Sequence, residues 1–194
     1  MTTILRSIGV ALALATFALL AYAGYAAFSS NAVTAGAIGG PFSLTDQNGR
    51  TVTDRDLRGK WLVIYFGYTH CPDACPTALN NIADALQALG SKRARVTPIF
   101  ITVDPARDTP AVMKSYVQNF GSGFVGLSGS GAAVTAVEQA YRVYAAKHVN
   151  ADGSYDMDHS SIIYIMDPNG HFVTNFTDET DPGAIAGRLK ALID

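Results

Sequence analysis

The apolar positions of this chain alternate between a strand period and a helix period from residue 41 onward. Trp61-Leu62-Val63-Ile64-Tyr65-Phe66 is an unbroken apolar, β-rich run, the pattern of a central strand buried on both faces. After a polar turn, Leu79, Ile82, Ala83, Leu86 and Leu89 recur at helical spacing. Val96 to Val103 reads as a second buried strand. Thr109 then caps a helix with Pro110 at its first position, its apolar stripe being Val112, Met113, Tyr116, Val117 and Phe120. Phe124 to Leu127 is a short strand, followed by a helix carrying Val134, Val137 and Tyr141. Ile162 to Met166 and Phe172 to Phe176 flank the turn Asp167-Pro168-Asn169-Gly170, which predicts a hairpin. Asp181-Pro182 opens a last helix, with Ile185, Leu189 and Leu192 inward.

This order (strand, helix, strand, helix, then a hairpin and a final helix) predicts an α/β, thioredoxin-like fold. Phe42 to Asp46 and Arg50 to Val52 read as an added N-terminal β-hairpin. Residues 41–194 form the expected domain. Residues 29–40, SSNAVTAGAIGG, are small and Gly-rich and read as a flexible linker.

The first 28 residues set the compartment. No charge interrupts Ser7 to Phe28, and a spanning helix needs roughly 20 apolar residues. Arg6 precedes the run and no charge follows it until Asp46, which favours a cytoplasmic N-terminus and an exported domain. The expectation is a single N-terminal transmembrane helix within residues 1–28, with residues 4–28 in a bacterial-type inner membrane and the domain in the periplasm. The competing reading is a cleaved signal peptide, since Ala21-Tyr22-Ala23 and Tyr25-Ala26-Ala27 offer small-residue cleavage sites.

Net charge is -2, with no run of like charges, so nothing points to nucleic acid. The two cysteines, Cys71 and Cys75, lie too close in sequence to staple a fold by restricting the unfolded chain. Their turn, Gly67-Tyr68-Thr69-His70-Cys71-Pro72-Asp73-Ala74-Cys75-Pro76, joins a buried strand to a helix that starts at Pro76 or Pro72. Free N–H groups and the helix dipole there favour thiolate over thiol. A thiolate is both nucleophile and soft metal ligand. Two sulfurs with one imidazole suit Cu(I), whereas zinc usually takes four protein ligands.

Four histidines compete for the third position. His159, in the loop Asp156-Met157-Asp158-His159-Ser160-Ser161, precedes a strand expected beside the one that bears the cysteine turn. Asp158 and its neighbouring carboxylate could hold that imidazole in one tautomer. His70 adjoins Cys71 and is a candidate for the surroundings of the site, while His148 and His171 read as surface residues. Asp104 ends the second buried strand on the same edge and could orient an imidazole or shape a partner surface. Asp104 and Asp108 could equally serve only to turn and cap the chain.

Three blocks resemble the Sco/SenC family of copper proteins: Phe66 to Pro76, Val103-Asp104-Pro105-Ala106-Arg107-Asp108-Thr109-Pro110, and Asp158-His159-Ser160-Ser161. The resemblance spans most of residues 41 to 194. It implies a thioredoxin fold, a membrane anchor, and copper held by Cys71, Cys75 and His159, with Asp104 as the supporting acidic residue. The family's usual task implies a copper chaperone that serves the dinuclear copper centre of cytochrome c oxidase subunit II. Another periplasmic copper donor would then be a second partner. Ala74 departs from the family's larger aliphatic residue, at a position that is not a proposed ligand.

The alternative is a thiol–disulfide oxidoreductase that reduces the target's cysteines, with Cys71 and Cys75 closing as a disulfide. Two features favour metal. Three residues separate the cysteines, not the two of the thioredoxin motif, and His159-Ser160-Ser161 lacks the proline that oxidoreductases carry opposite the pair. Cu(II) binding beside Cu(I) stays open at this stage.

Overall fold

The computed structural model describes residues 37–193; the expected anchor at residues 1–28 lies outside them. Among the described residues no helix is long and apolar enough to cross a membrane. The body is built on β3 (Trp61–Gly67), seven residues that are all buried. On one side β3 pairs in parallel with β4 (Val96–Thr102), in register from Trp61↔Val96 to Gly67↔Thr102. On the other it pairs antiparallel with β8 (Ile162–Met166), which hairpins into β9 (Phe172–Thr177). Beyond β4 lie β5 (Val125–Ser128), parallel to it, then β1 (Ser43–Asp46) and β2 (Thr51–Thr53), antiparallel to each other. The seven-stranded order is β2-β1-β5-β4-β3-β8-β9.

Among the described residues four α-helices connect and cover these strands: α1 (Ala74–Gln87), α2 (Pro110–Val117), α3 (Gly131–Tyr141) and α4 (Pro182–Leu192). Helix α1 packs beside α4 and lays Ala78, Leu79, Ile82, Ala85 and Leu86 into the core. Thr109 caps α2 as its sequence predicts, its hydroxyl accepting the Val112 N–H at 3.4 Å. Val112 departs from the expected stripe. The short α2 buries Met113 and Val117, and its turn leaves Val112 toward solvent.

Ile38 to Gly40, within the expected linker, lie on the body. Ile38 packs against the core and the Gly39 N–H donates to the Ala140 carbonyl at 2.8 Å. Gly39 needs its positive φ of 93°, and a β-carbon there would stand 2.8 Å from Met166 Cε.

A second, two-stranded sheet, β6 (Ala145–Val149) with β7 (Tyr155–His159), departs from the sequence reading. The segment around His159 is therefore a strand, not a loop. Tyr155, Met157 and His159 face the body while Asp156 and Asp158 face solvent, a period of two that charged residues disguise. Asn150 to Ser154 makes the turn, with Gly153 at φ 84°.

Candidate metal centre

The parallel β3–β4 ladder ends at Gly67 and Thr102, and the residues that follow both strands converge at that edge. From Gly67 the chain turns through Cys71 into α1. Helix α1 begins at Ala74, between the two expected starts, so Cys75 lies in its first turn and is fully buried. Asp73, the residue before the helix, makes no side-chain cap. The sulfur of Cys71 supplies it, accepting the Cys75 N–H at 3.4 Å. A β-carbon on Gly67 would stand 2.7 Å from Cys75 Sγ and 2.9 Å from Phe100 Cε2, so the missing side chain is what admits the sulfur.

His159 reaches the same place as the last residue of β7. Its Nε2 lies 3.5 Å from Cys75 Sγ. Its Nδ1 lies 3.2 Å from the Ser160 carbonyl, which can only accept, so Nδ1–H donates there and Nε2 keeps its lone pair toward the sulfurs. The rings of Tyr65 and Tyr68 stand edge-on to the imidazole, at 6.1 and 5.9 Å between centres. The three donor atoms of Cys71, Cys75 and His159 lie within 4.8 Å of one another. That is the right size and chemistry for one soft ion with an open side.

Both cysteines are free. They share a proton unequally. A hydrogen bond from the Cys75 thiol holds Cys71 far below the ordinary thiol range against its own partial burial, and the backbone N–H groups of Asp73 and Cys75 add to this. Cys75 is pushed up, first by that same bond to Cys71 and then by burial.

The carboxylates divide their work differently from expectation. Asp158 faces solvent, and the tautomer of His159 is fixed by the Ser160 carbonyl instead. His70 is exposed and turns to Thr69 Oγ1 at 3.2 Å and Asp108 Oδ1 at 3.9 Å, outside the three-donor cluster. Asp104 touches no imidazole. It is buried, pairs with Arg107, and accepts the Tyr155 hydroxyl at 3.1 Å, which places it behind the strand that carries His159. Asp108, read as a turn residue, is fully buried. It accepts the Thr69 N–H at 3.0 Å and the hydroxyls of Thr69 and Thr102 at 2.6 Å each, bracing the cysteine turn.

A family model described as SCO1/SenC matches residues 30–194. The chain belongs to the SCO1/SenC family. The SCO2-like protein of Rickettsia felis is 40% identical over 156 residues, 79% of this chain and 76% of that protein. The solved structure of Bradyrhizobium japonicum ScoI with copper bound is 52% identical, with a TM-score of 0.75 over 80% of this chain and 99% of that one. Yeast Sco1 with copper bound is 38% identical, with a TM-score of 0.73 over 80% of this chain and 88% of that one. These likenesses assign the α/β body to the thioredoxin-like Sco fold. Sequence reasoning passed over Asp108, Arg107 and Tyr155 as members of the site. A Thr-and-Asp cluster around the cysteines and the alternation of residues 155–159 were the available signals.

Proposed function

We propose that this SCO1/SenC protein is a copper carrier in which Cys71, Cys75 and His159 hold one Cu(I) and pass it to a copper-receiving protein. The supporting observation is the cluster of two sulfurs and one imidazole nitrogen within 4.8 Å, with Nε2 of His159 free to bind. Soft sulfurs favour Cu(I) over Cu(II), and three donors leave a direction from which a recipient's ligand can enter. Copper is the cargo here. The chain's own work is to hold the donors converged, to keep Cys71 ionised ahead of loading, and to shield Cys75 from oxidants. Copper bound in the solved ScoI and yeast Sco1 supports the choice of cargo; on this reading the recipient is the dinuclear copper site of cytochrome c oxidase subunit II, another periplasmic donor supplies the metal, and residues 4–28 tether the domain on the exported side of the membrane.

A second reading, thiol–disulfide exchange with the recipient's cysteines, draws on the partly exposed, ionised Cys71 beside a buried Cys75. Anaerobic titration of the full-length protein with Cu(I) separates the two. The carrier binds one ion per chain, and His159→Ala weakens it by about 100-fold or more, since losing even a partner behind a ligand costs about 10- to 100-fold. Unchanged affinity in His159→Ala together with vigorous disulfide reduction would favour the exchange reading.

A further inference from the structure

Among the described residues two buried phenol oxygens have no hydrogen-bond partner, those of Tyr65 and Tyr116. A buried hydroxyl without an acceptor is disfavoured and calls for a reason. Tyr65 lies in the middle of β3 with no exposed surface. It shares a face of the strand with Gly67, two residues on, and that face looks at Cys75. A β-carbon on Gly67 would meet Cys75 Sγ at 2.7 Å and Tyr65 Cε1 at 3.2 Å, so ring edge and sulfur close on the same glycine. The ring is also set edge-on to His159, 6.1 Å between centres.

We propose that Tyr65 is a positioning residue whose O–H is reserved for the Cys75 sulfur once both cysteines are metal-bound. The inference rests on the reading of Cys71, Cys75 and His159 as ligands. In the metal-free protein the phenol oxygen meets no hydrogen-bond partner. A cysteine sulfur that binds a metal does so as a thiolate, and at Cys75 that thiolate is fully buried. A buried anion needs hydrogen bonds from its surroundings, and the Tyr65 hydroxyl is a neighbouring donor that makes no hydrogen bond in the metal-free protein. One group thus stays uncompensated in the empty state and is satisfied in the loaded one, which biases the site toward holding its cargo.

Tyr65→Phe removes one oxygen and keeps the ring. In the full-length protein it should leave the apo unfolding temperature unchanged or raised, and lower Cu(I) affinity about tenfold, the scale of one hydrogen bond to a charged group. With Cu(II) as a spectroscopic probe, the thiolate-to-copper charge-transfer band should move to longer wavelength, because the sulfur loses a donor. Tyr116→Phe deletes the other unpartnered oxygen, whose ring lies across Phe100 at 5.3 Å, and should leave affinity within about twofold. Wild-type affinity in Tyr65→Phe, or an equal loss in both variants, overturns the assignment. Wild-type protein that binds no Cu(I) overturns the ligand reading itself.

Discussion

The guanidinium of Arg107 lies 3.7 Å from the centre of the Tyr155 ring, and one of its N–H groups donates to the Tyr155 carbonyl at 2.9 Å. Lys147 covers a face of the same ring at 3.6 Å, and Asp104 takes the hydroxyl. The β6–β7 hairpin is a projection from the body, and this cluster fastens the strand that ends in His159. Two further bonds, Ser160 N–H to the Tyr144 carbonyl and Tyr144 N–H to the Ser160 hydroxyl, fix the strand's exit at 3.0 Å each.

Arg107→Met should therefore loosen β7 without unfolding the sheet. A half-buried cation–π contact and its hydrogen bonds amount to about 2 kcal/mol locally. Amide exchange along Tyr155 to His159 should speed up by about tenfold or more, while β3 and β4 stay protected. Cu(I) affinity should fall by less than in His159→Ala. Exchange confined to its wild-type rate in β7 would show that the hairpin is held by other contacts.

Asp108 accepts from Thr69 across 39 positions of sequence and from Thr102 at the end of β4, so one carboxylate couples the cysteine turn to the neighbouring strand. Asp108→Ala strands two hydroxyls and an N–H around a buried hole, and the expected loss is about 3 kcal/mol or more. Chemical denaturation of the apo protein measures it. Asp108→Asn, which retains one acceptor oxygen, should recover part of the loss, and full stability in the alanine variant would remove Asp108 from this role.

How far the sequence exposes these parts depends on where their partners lie. β3, α1 and the β8–β9 hairpin carry their own periodicity and turn residues, and each forms where its pattern places it. The cysteines and His159 announce themselves by residue type, and the topology that joins them follows from β8 pairing with β3. Asp108 and Arg107 do not. A capping aspartate and a hub aspartate look alike until the chain returns, and Tyr155 reaches Asp104 across 51 positions. The first turn of α1 was equally opaque, because a cysteine sulfur does the capping that an Asp at the preceding position suggests. Tyr65 reads as one more core aromatic, and only its lack of a partner sets it apart.

The two thiols should differ in their response to pH. Cys71 has its folded pKa depressed far below the thiol range, so its thiolate is already complete near neutrality and is lost only in strong acid. Cys75 is raised, so it stays protonated. Labelling of metal-free protein with iodoacetamide should fall on Cys71 and stay nearly flat between about pH 6 and about pH 8, where an ordinary thiol changes roughly tenfold per unit. Cys75→Ser weakens the bond that holds Cys71 down and should bring back part of the ordinary slope. A steep slope for Cys71 in the wild type would mean that the proton is shared differently.

Gly67 gives the most direct test of how tightly the donors are held. Its missing β-carbon is the space in which Cys75 Sγ and the Phe100 ring edge come together, at 2.7 and 2.9 Å from where that carbon would be. Neither neighbour can yield freely. Cys75 is fixed in the first turn of α1, and Phe100 is fully buried, its ring stacked with Tyr65 at 6.5 Å between centres. Gly67→Ala should push the sulfur off its line to His159, destabilise the apo protein by about 1–3 kcal/mol as overpacking does, and weaken Cu(I) binding in the same variant. Loss of stability with unaltered Cu(I) affinity would show that the helix start can move as a unit and carry Cys75 with it. The convergence of donors would then belong to the mobile turn rather than to the strand beneath it.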